Sequence, residues 1–195
     1  MIIAVAAGQK GNRNSFNDVG LPRYFYRLPA RSQRAWLKSD SLDHFDLTPD
    51  SAAVWLAAAL IAALPSGAPL PIERAVQALA DQLCRLMAVR EVKVEVRGVR
   101  PHNTRGELHG IFYPYGPSGR RGAPLIILWM RTAQRHDVVK PKTFLRTLMH
   151  ELGHYLDYAL LGLEESFHTT GFFRRESFLV KALFPAEAAS AHHSV

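Results

Sequence analysis

A His-Glu-x-x-His motif is the feature of this sequence that most constrains its fold and chemistry. It runs from His150 to His154 within RTLMHELGHYLDYAL. On a helix the two histidines lie about 40° apart on one face. The opposite face is an apolar stripe of Leu145, Leu148, Met149, Leu152, Leu156, Ala159 and Leu160. Two imidazoles one turn apart can bind the same zinc ion, with Glu151 close enough to reach a water on that ion.

A third metal ligand must come from outside the motif, because a catalytic zinc site usually has three protein ligands. His168 stands in SFHTTGFF, just before a segment that reads as a helix, and Glu176 would lie about two turns into that helix. Either side chain could reach the motif if the chain turns back, and His168 is the favoured one. Asp157 is on the metal face of the motif helix, and orienting a histidine ring suits it better than binding metal.

Composition restricts the class of protein. The chain has 195 residues, 48% hydrophobic and 21% charged, which is typical of one compact soluble domain. Cys84 is the single cysteine, so an internal disulfide is excluded and a cytoplasmic location is expected. The apolar run at 52–64 is too short to span a bilayer and predicts a buried helix. The net charge of +7 allows a nucleic-acid partner, but the basic residues are scattered along the chain.

The order of predicted elements favours an α+β domain. We expect a flexible N-terminus at 1–19, a helical N-terminal region at 20–66 with helices at 30–40 and 52–64, and a proline-rich boundary at 65–71. The main domain at 70–184 holds an amphipathic helix, three strands at 92–98, 106–116 and 123–131, the motif helix and a last helix from about 172. The three strands are predicted to form an antiparallel sheet, and 185–195 to form a C-terminal tail.

These residues resemble the SprT-like metallopeptidases. HELGH is followed after 13 residues by HTTGF, which places His168 and Phe172 at the later histidine and aromatic positions of that family. The helix and three strands before the motif are similar to the family's compact zincin core, and the resemblance covers about residues 70–184. It implies a zinc peptidase that binds Zn²⁺ through His150, His154 and His168 and uses Glu151 as general base on protein or peptide substrates. Some members of the family cleave proteins attached to DNA.

The sequence leaves the substrate-aligning strand, the oxyanion stabiliser and a second candidate function undecided. The strand GIFYPY (110–115) is a candidate edge strand for aligning an extended peptide, and sequence does not choose an oxyanion stabiliser among Tyr113, Tyr155, Tyr158, Arg174 and Arg175. The second candidate function is a non-catalytic, zinc-stabilised domain that binds nucleic acid or a protein partner through its N-terminal helices. No membrane association is expected.

Overall fold

Five α-helices and a mixed sheet make up the fold. A computed structural model describes residues 3–6, 21–104, 106–118 and 122–184, so the predicted tail at 185–195 and most of 1–19 lie outside the described residues. The elements are β1 (Ile3–Ala6), α1 (Ala30–Asp40), α2 (Ser51–Ala63), α3 (Pro69–Leu86), β2 (Lys93–Val99), β3 (His102–Asn103), β4 (Gly106–Tyr113), β5 (Leu125–Arg131), α4 (Pro141–Ala159) and α5 (Thr170–Leu183). The short 3-10 helices Arg23–Arg27 and Leu64–Ser66 precede α1 and follow α2. No helix in these ranges is long and apolar enough to cross a bilayer.

Local signals explain where the helices begin. The Asp50 carboxylate accepts a hydrogen bond from the Ala53 amide at 2.8 Å and caps α2. The Thr169 hydroxyl does the same for α5, accepting from the Phe172 amide at 3.0 Å. Helix α3 starts at Pro69, inside the predicted proline-rich boundary, because the first turn of a helix needs no amide hydrogen there.

The sheet has the strand order β1-β4-β5-β2, with β3 paired to β4. Strand β4 is antiparallel to both β1 and β5, whereas β2 runs parallel to β5 with Val96 opposite Leu128. The predicted three-stranded antiparallel arrangement is therefore wrong for β2. The chain leaves β2, forms the β3–β4 hairpin and pairs β5 between β2 and β4, so consecutive strands are not all neighbours. Residues 3–6, expected to be flexible, form the paired strand β1.

One main core joins α2 and the segment before it to the rest of the chain. Its buried side chains come from the region before α2, from α2, α3 and α4, and from one face of the sheet; they include Phe45, Leu60, Leu79, Ile126 and Leu152. Residues 45–64 of the predicted N-terminal region therefore share this core. Helix α2 is not fully buried as predicted, because its side chains Val54 and Trp55 are 46% and 68% exposed.

Candidate metal centre

Three imidazoles meet at one point between α4 and the segment that leads into α5. Helix α4 supplies His150 and His154, and the chain turns back after the helix to bring His168 against them. The Nε2 atoms of His150 and His168 are 2.9 Å apart, those of His154 and His168 are 3.0 Å apart, and those of His150 and His154 are 3.1 Å apart. The expected grouping of these three histidines is therefore present in the structure.

The outer nitrogen of His150 is held by a carboxylate. Its Nδ1 lies 2.8 Å from Glu176 Oε2, and Arg146 Nε donates to Glu176 Oε1 at 2.8 Å. A carboxylate beside Arg146 accepts hydrogen bonds, so the proton of a neutral His150 belongs on Nδ1 and the lone pair on Nε2. Glu176, the alternative third ligand, thus contacts the nitrogen of His150 that faces away from the cluster.

The Nδ1 atom of His154, which faces away from the cluster, is hydrogen-bonded to a buried pair of polar residues. Its Nδ1 lies 2.7 Å from Ser166 Oγ, and Ser166 donates its single hydroxyl hydrogen to Asp157 Oδ2 at 2.6 Å. Ser166 therefore accepts from His154 Nδ1, which leaves the Nε2 lone pair directed at the cluster. Asp157 in turn pairs with Arg175 at 2.8 Å. Asp157 orients the His154 ring as expected, but through Ser166 rather than by direct contact.

The donor set fits a zinc ion. Three nitrogens arranged tetrahedrally around zinc at ~2.0–2.1 Å lie about 3.3–3.4 Å from one another, close to the spacing of these Nε2 atoms. At least two of the three present lone pairs, which repel one another unless a shared cation lies between them. Burial and then the neighbouring His150 lower the pKa of His154 well below its usual range, and the same causes lower the pKa of His168 to about 4. Zinc binds the neutral form of histidine, so both shifts favour binding.

His168 is the most exposed of the three histidines. His168 as a whole residue is solvent-exposed. Its ring nevertheless packs against neighbouring aromatic rings, including that of Phe173 at a centroid distance of 5.7 Å. Phe172 stacks on His154 with centroids 4.5 Å apart. A Cβ on Gly153 would lie 3.4 Å from two carbons of the Phe172 ring, so this helical glycine packs against that ring.

Glu151 lies beneath strand β4 and is 0% exposed. Among the described residues neither of its carboxylate oxygens has a hydrogen-bond partner. Burial, with a smaller contribution from Glu176, raises the pKa of Glu151 well above its usual range. A buried carboxyl without partners is costly in a fold, so these oxygens fit a site that also holds a cation and water.

Gly110 on β4 makes room for Glu151, and no sequence signal marked it. A Cβ at this position would lie 2.7 Å from Glu151 Oε1 and 2.8 Å from Thr147 Cγ2. The φ angle of Gly110 is not in the left-handed region, so the need for glycine is a need for space. Strand β4 therefore passes directly over the glutamate of the motif.

The N-terminal region supports the loop that carries His168. The Ser39 hydroxyl lies 3.2 Å from Thr169 Oγ1, and Arg175 donates to the Ser39 and Leu42 carbonyls at 2.6 Å each. The rings of Trp36 and Phe167 contact with centroids 5.2 Å apart. Since these contacts flank His168 on both sides, residues 36–42 help to fix the position of His168.

Two of the predicted oxyanion stabilisers have other partners. The Tyr155 hydroxyl donates to the Arg90 carbonyl, and Arg175 is 1% exposed within its pair with Asp157. The candidate edge strand at 110–115 also differs from expectation, because β4 is paired on both sides at Gly110, with Val5 of β1 and Leu128 of β5.

Comparison of the chain with protein-family models, with curated proteins and with solved structures gave no match.

Proposed function

We propose that this chain is a zinc-dependent metallopeptidase with a zincin-like core, in which His150, His154 and His168 hold the metal. One observation carries the proposal: three imidazole Nε2 atoms lie within 3.1 Å of one another, next to a buried glutamate. The backing of His150 by Glu176 and of His154 by Ser166 supports it, because ligand histidines typically donate their other ring hydrogen to such partners.

In the proposed reaction each residue has a separate task. A bound zinc ion supplies Lewis-acid polarisation of the scissile carbonyl and a water whose pKa is lowered to about 7. Glu151 accepts a proton from the attacking water at a carboxylate oxygen and delivers it to the nitrogen of the leaving amine. Strand β4 covers the Glu151 side chain at Gly110, and Phe172 packs against the His154 ring.

The test is hydrolysis of casein by the zinc-loaded chain and by Glu151→Gln, which keeps the size of the side chain and removes its basicity. We expect turnover to fall by about 10²–10⁴-fold while the variant still binds one zinc per chain. Glu164→Gln is the matched control, because Glu164 is an exposed glutamate in the loop between α4 and α5. Cleavage by Glu151→Gln at the wild-type rate would refute the proposal.

A second candidate is the zinc-stabilised domain that binds nucleic acid without catalysis. Arg31, Arg34 and Lys38 are exposed on α1 at spacings of three and four residues, so they share one helix face. Contacts of this kind with phosphates weaken steeply with salt. Salt-dependent binding of duplex DNA that is lost in an Arg31→Gln, Arg34→Gln double variant, with no turnover by the wild type, would favour this second function.

A further inference from the structure

Strand β1 occupies one side of the strand that covers Glu151. Residues Ile3–Ala6 pair antiparallel with β4, and the register places Val5 opposite Gly110. Gly110 is also the residue whose added Cβ would touch the Glu151 carboxylate. The ladder between β1 and β4 therefore includes the residue of β4 that lies against the Glu151 side chain.

This side of β4 is where an extended peptide could pair with the sheet. The other side of β4 is held by β5, through Gly110–Leu128 to Tyr113–Leu125. Strand β5 is buried from Leu125 to Met130 and also pairs with β2, so opening that side would break the centre of the sheet. Among the strands that the structure describes, β1 is terminal in the order and pairs with β4 alone. Exchange of β1 therefore opens a ladder of four described residues.

We propose that β1 holds the substrate-binding edge of β4 and must be exchanged for an extended peptide before that peptide can reach Glu151. The proposal rests on the proposed peptidase function and names its substrate class: a segment in β conformation, recognised chiefly through backbone hydrogen bonds. The segment that now pairs with β4 reads Ile-Ala-Val-Ala. Apolar side chains are therefore the expected preference in the positions that pair with Leu108–Phe112.

The tether between β1 and the rest of the chain sets how strongly β1 competes with a free peptide for β4. A segment tethered to the same chain acts at an effective concentration on the order of millimolar. A free peptide should therefore bind the intact chain weakly, and removal of β1 should strengthen its apparent affinity at least tenfold.

The experiment measures binding separately from cleavage. A fluorescein-labelled peptide with the sequence of residues 1–7, MIIAVAA, is titrated into the Glu151→Gln chain with and without its own residues 1–7, and anisotropy is recorded. We expect at least tenfold tighter binding without residues 1–7. A control peptide with proline in place of both Ala4 and Val5 should not bind, because one of two adjacent strand residues must direct its amide at β4 and proline cannot donate a backbone hydrogen bond. Equal binding by both chains, or binding by neither, would overturn the proposal.

A crosslink covers the case in which the shortened chain does not fold. Ala4 and Ile111 are cross-strand partners, so Ala4→Cys with Ile111→Cys, again in the Glu151→Gln chain, should form a disulfide that fixes β1 on β4. Cys84 is buried and does not compete. We expect the oxidised form to bind the peptide at least tenfold more weakly than the reduced form, with Ile111→Cys alone insensitive to oxidation. Equal binding by the oxidised and reduced forms contradicts the exchange.

These outcomes are distinguishable from failure of the proposed function. If the peptide binds as expected and the wild-type chain does not hydrolyse casein, the exchange stands and the peptidase function fails. If the wild-type chain hydrolyses casein and removal of residues 1–7 does not strengthen peptide binding, the peptidase function stands and the exchange fails.

Discussion

Replacement of Gly110 by alanine tests whether β4 and Glu151 are packed as closely as the geometry requires. The new Cβ would lie 2.7 Å from Glu151 Oε1, 2.8 Å from Thr147 Cγ2 and 2.9 Å from Glu151 Cγ. Carbon atoms in contact normally lie about 3.5–4.0 Å apart, so both side chains must shift. Overpacking of this kind costs about 1–3 kcal/mol, which lowers the melting temperature of a chain of this size by about 2–12 °C.

Urea unfolding of Gly110→Ala and Gly98→Ala is the assay, since both glycines lie inside strands. A Cβ on Gly98 meets nothing within 4 Å, and alanine there should stabilise the fold by up to about 1 kcal/mol. In a Glu151→Ala background the cost of Gly110→Ala should fall, because two of the three close contacts belong to Glu151. If Gly110→Ala and Gly98→Ala unfold at the same urea concentration, the packing argument is wrong.

Three further predictions concern Arg175, Cys84 and His109. Arg175→Met leaves the Asp157 carboxylate without its buried partner, and should lower the free energy of unfolding in urea by about 3–5 kcal/mol; a loss below about 1 kcal/mol would contradict the reasoning. Burial raises the pKa of the Cys84 thiol to about 11, so a thiol reagent at pH 8 should label the urea-unfolded chain and not the native one. Burial, and then the Arg100 charge, lower the pKa of His109 to about 4. As the pH falls, the unfolded chain therefore takes up a proton at His109 before the folded chain does. The stability that neutral His109 contributes is present above about pH 6.5 and is lost as the pH falls through about 4. His109→Gln should lose less stability than wild type between pH 7 and 4.5, measured by urea unfolding at each pH, and an equal loss would rule out this pKa shift.

Local patterns predict much of this fold. Alternation identifies β2, and helical periodicity identifies α3 and α4, because each of these elements buries its apolar face in the way its own period dictates. Strands β4 and β5 are instead recognisable as apolar and aromatic runs between turn residues. Strand direction is not a local property. Strands β2 and β5 are parallel because β5 pairs between β2 and β4 and runs antiparallel to β4. The periodicity of a segment does not determine which strands become its neighbours.

In the candidate site, too, some residues are predictable from local sequence and others depend on the fold. The spacing of His150 and His154 on one helix predicts their contact directly, since it depends only on helix geometry. The return of His168 to the pair depends on residues far away in sequence, such as Ser39, whose hydroxyl lies next to that of Thr169. Gly110 is likewise recognisable only once β4 lies over Glu151.

X-ray absorption at the zinc edge, on the chain loaded with one equivalent of zinc, tests the central claim most directly. Three imidazole nitrogens at ~2.0–2.1 Å are expected for the wild type, and two for His168→Ala. His102→Ala, which removes an exposed histidine of β3, serves as the control and should leave three. Failure of the wild type to bind the equivalent of zinc, or a spectrum of His168→Ala that matches the wild type, would contradict the three-histidine centre.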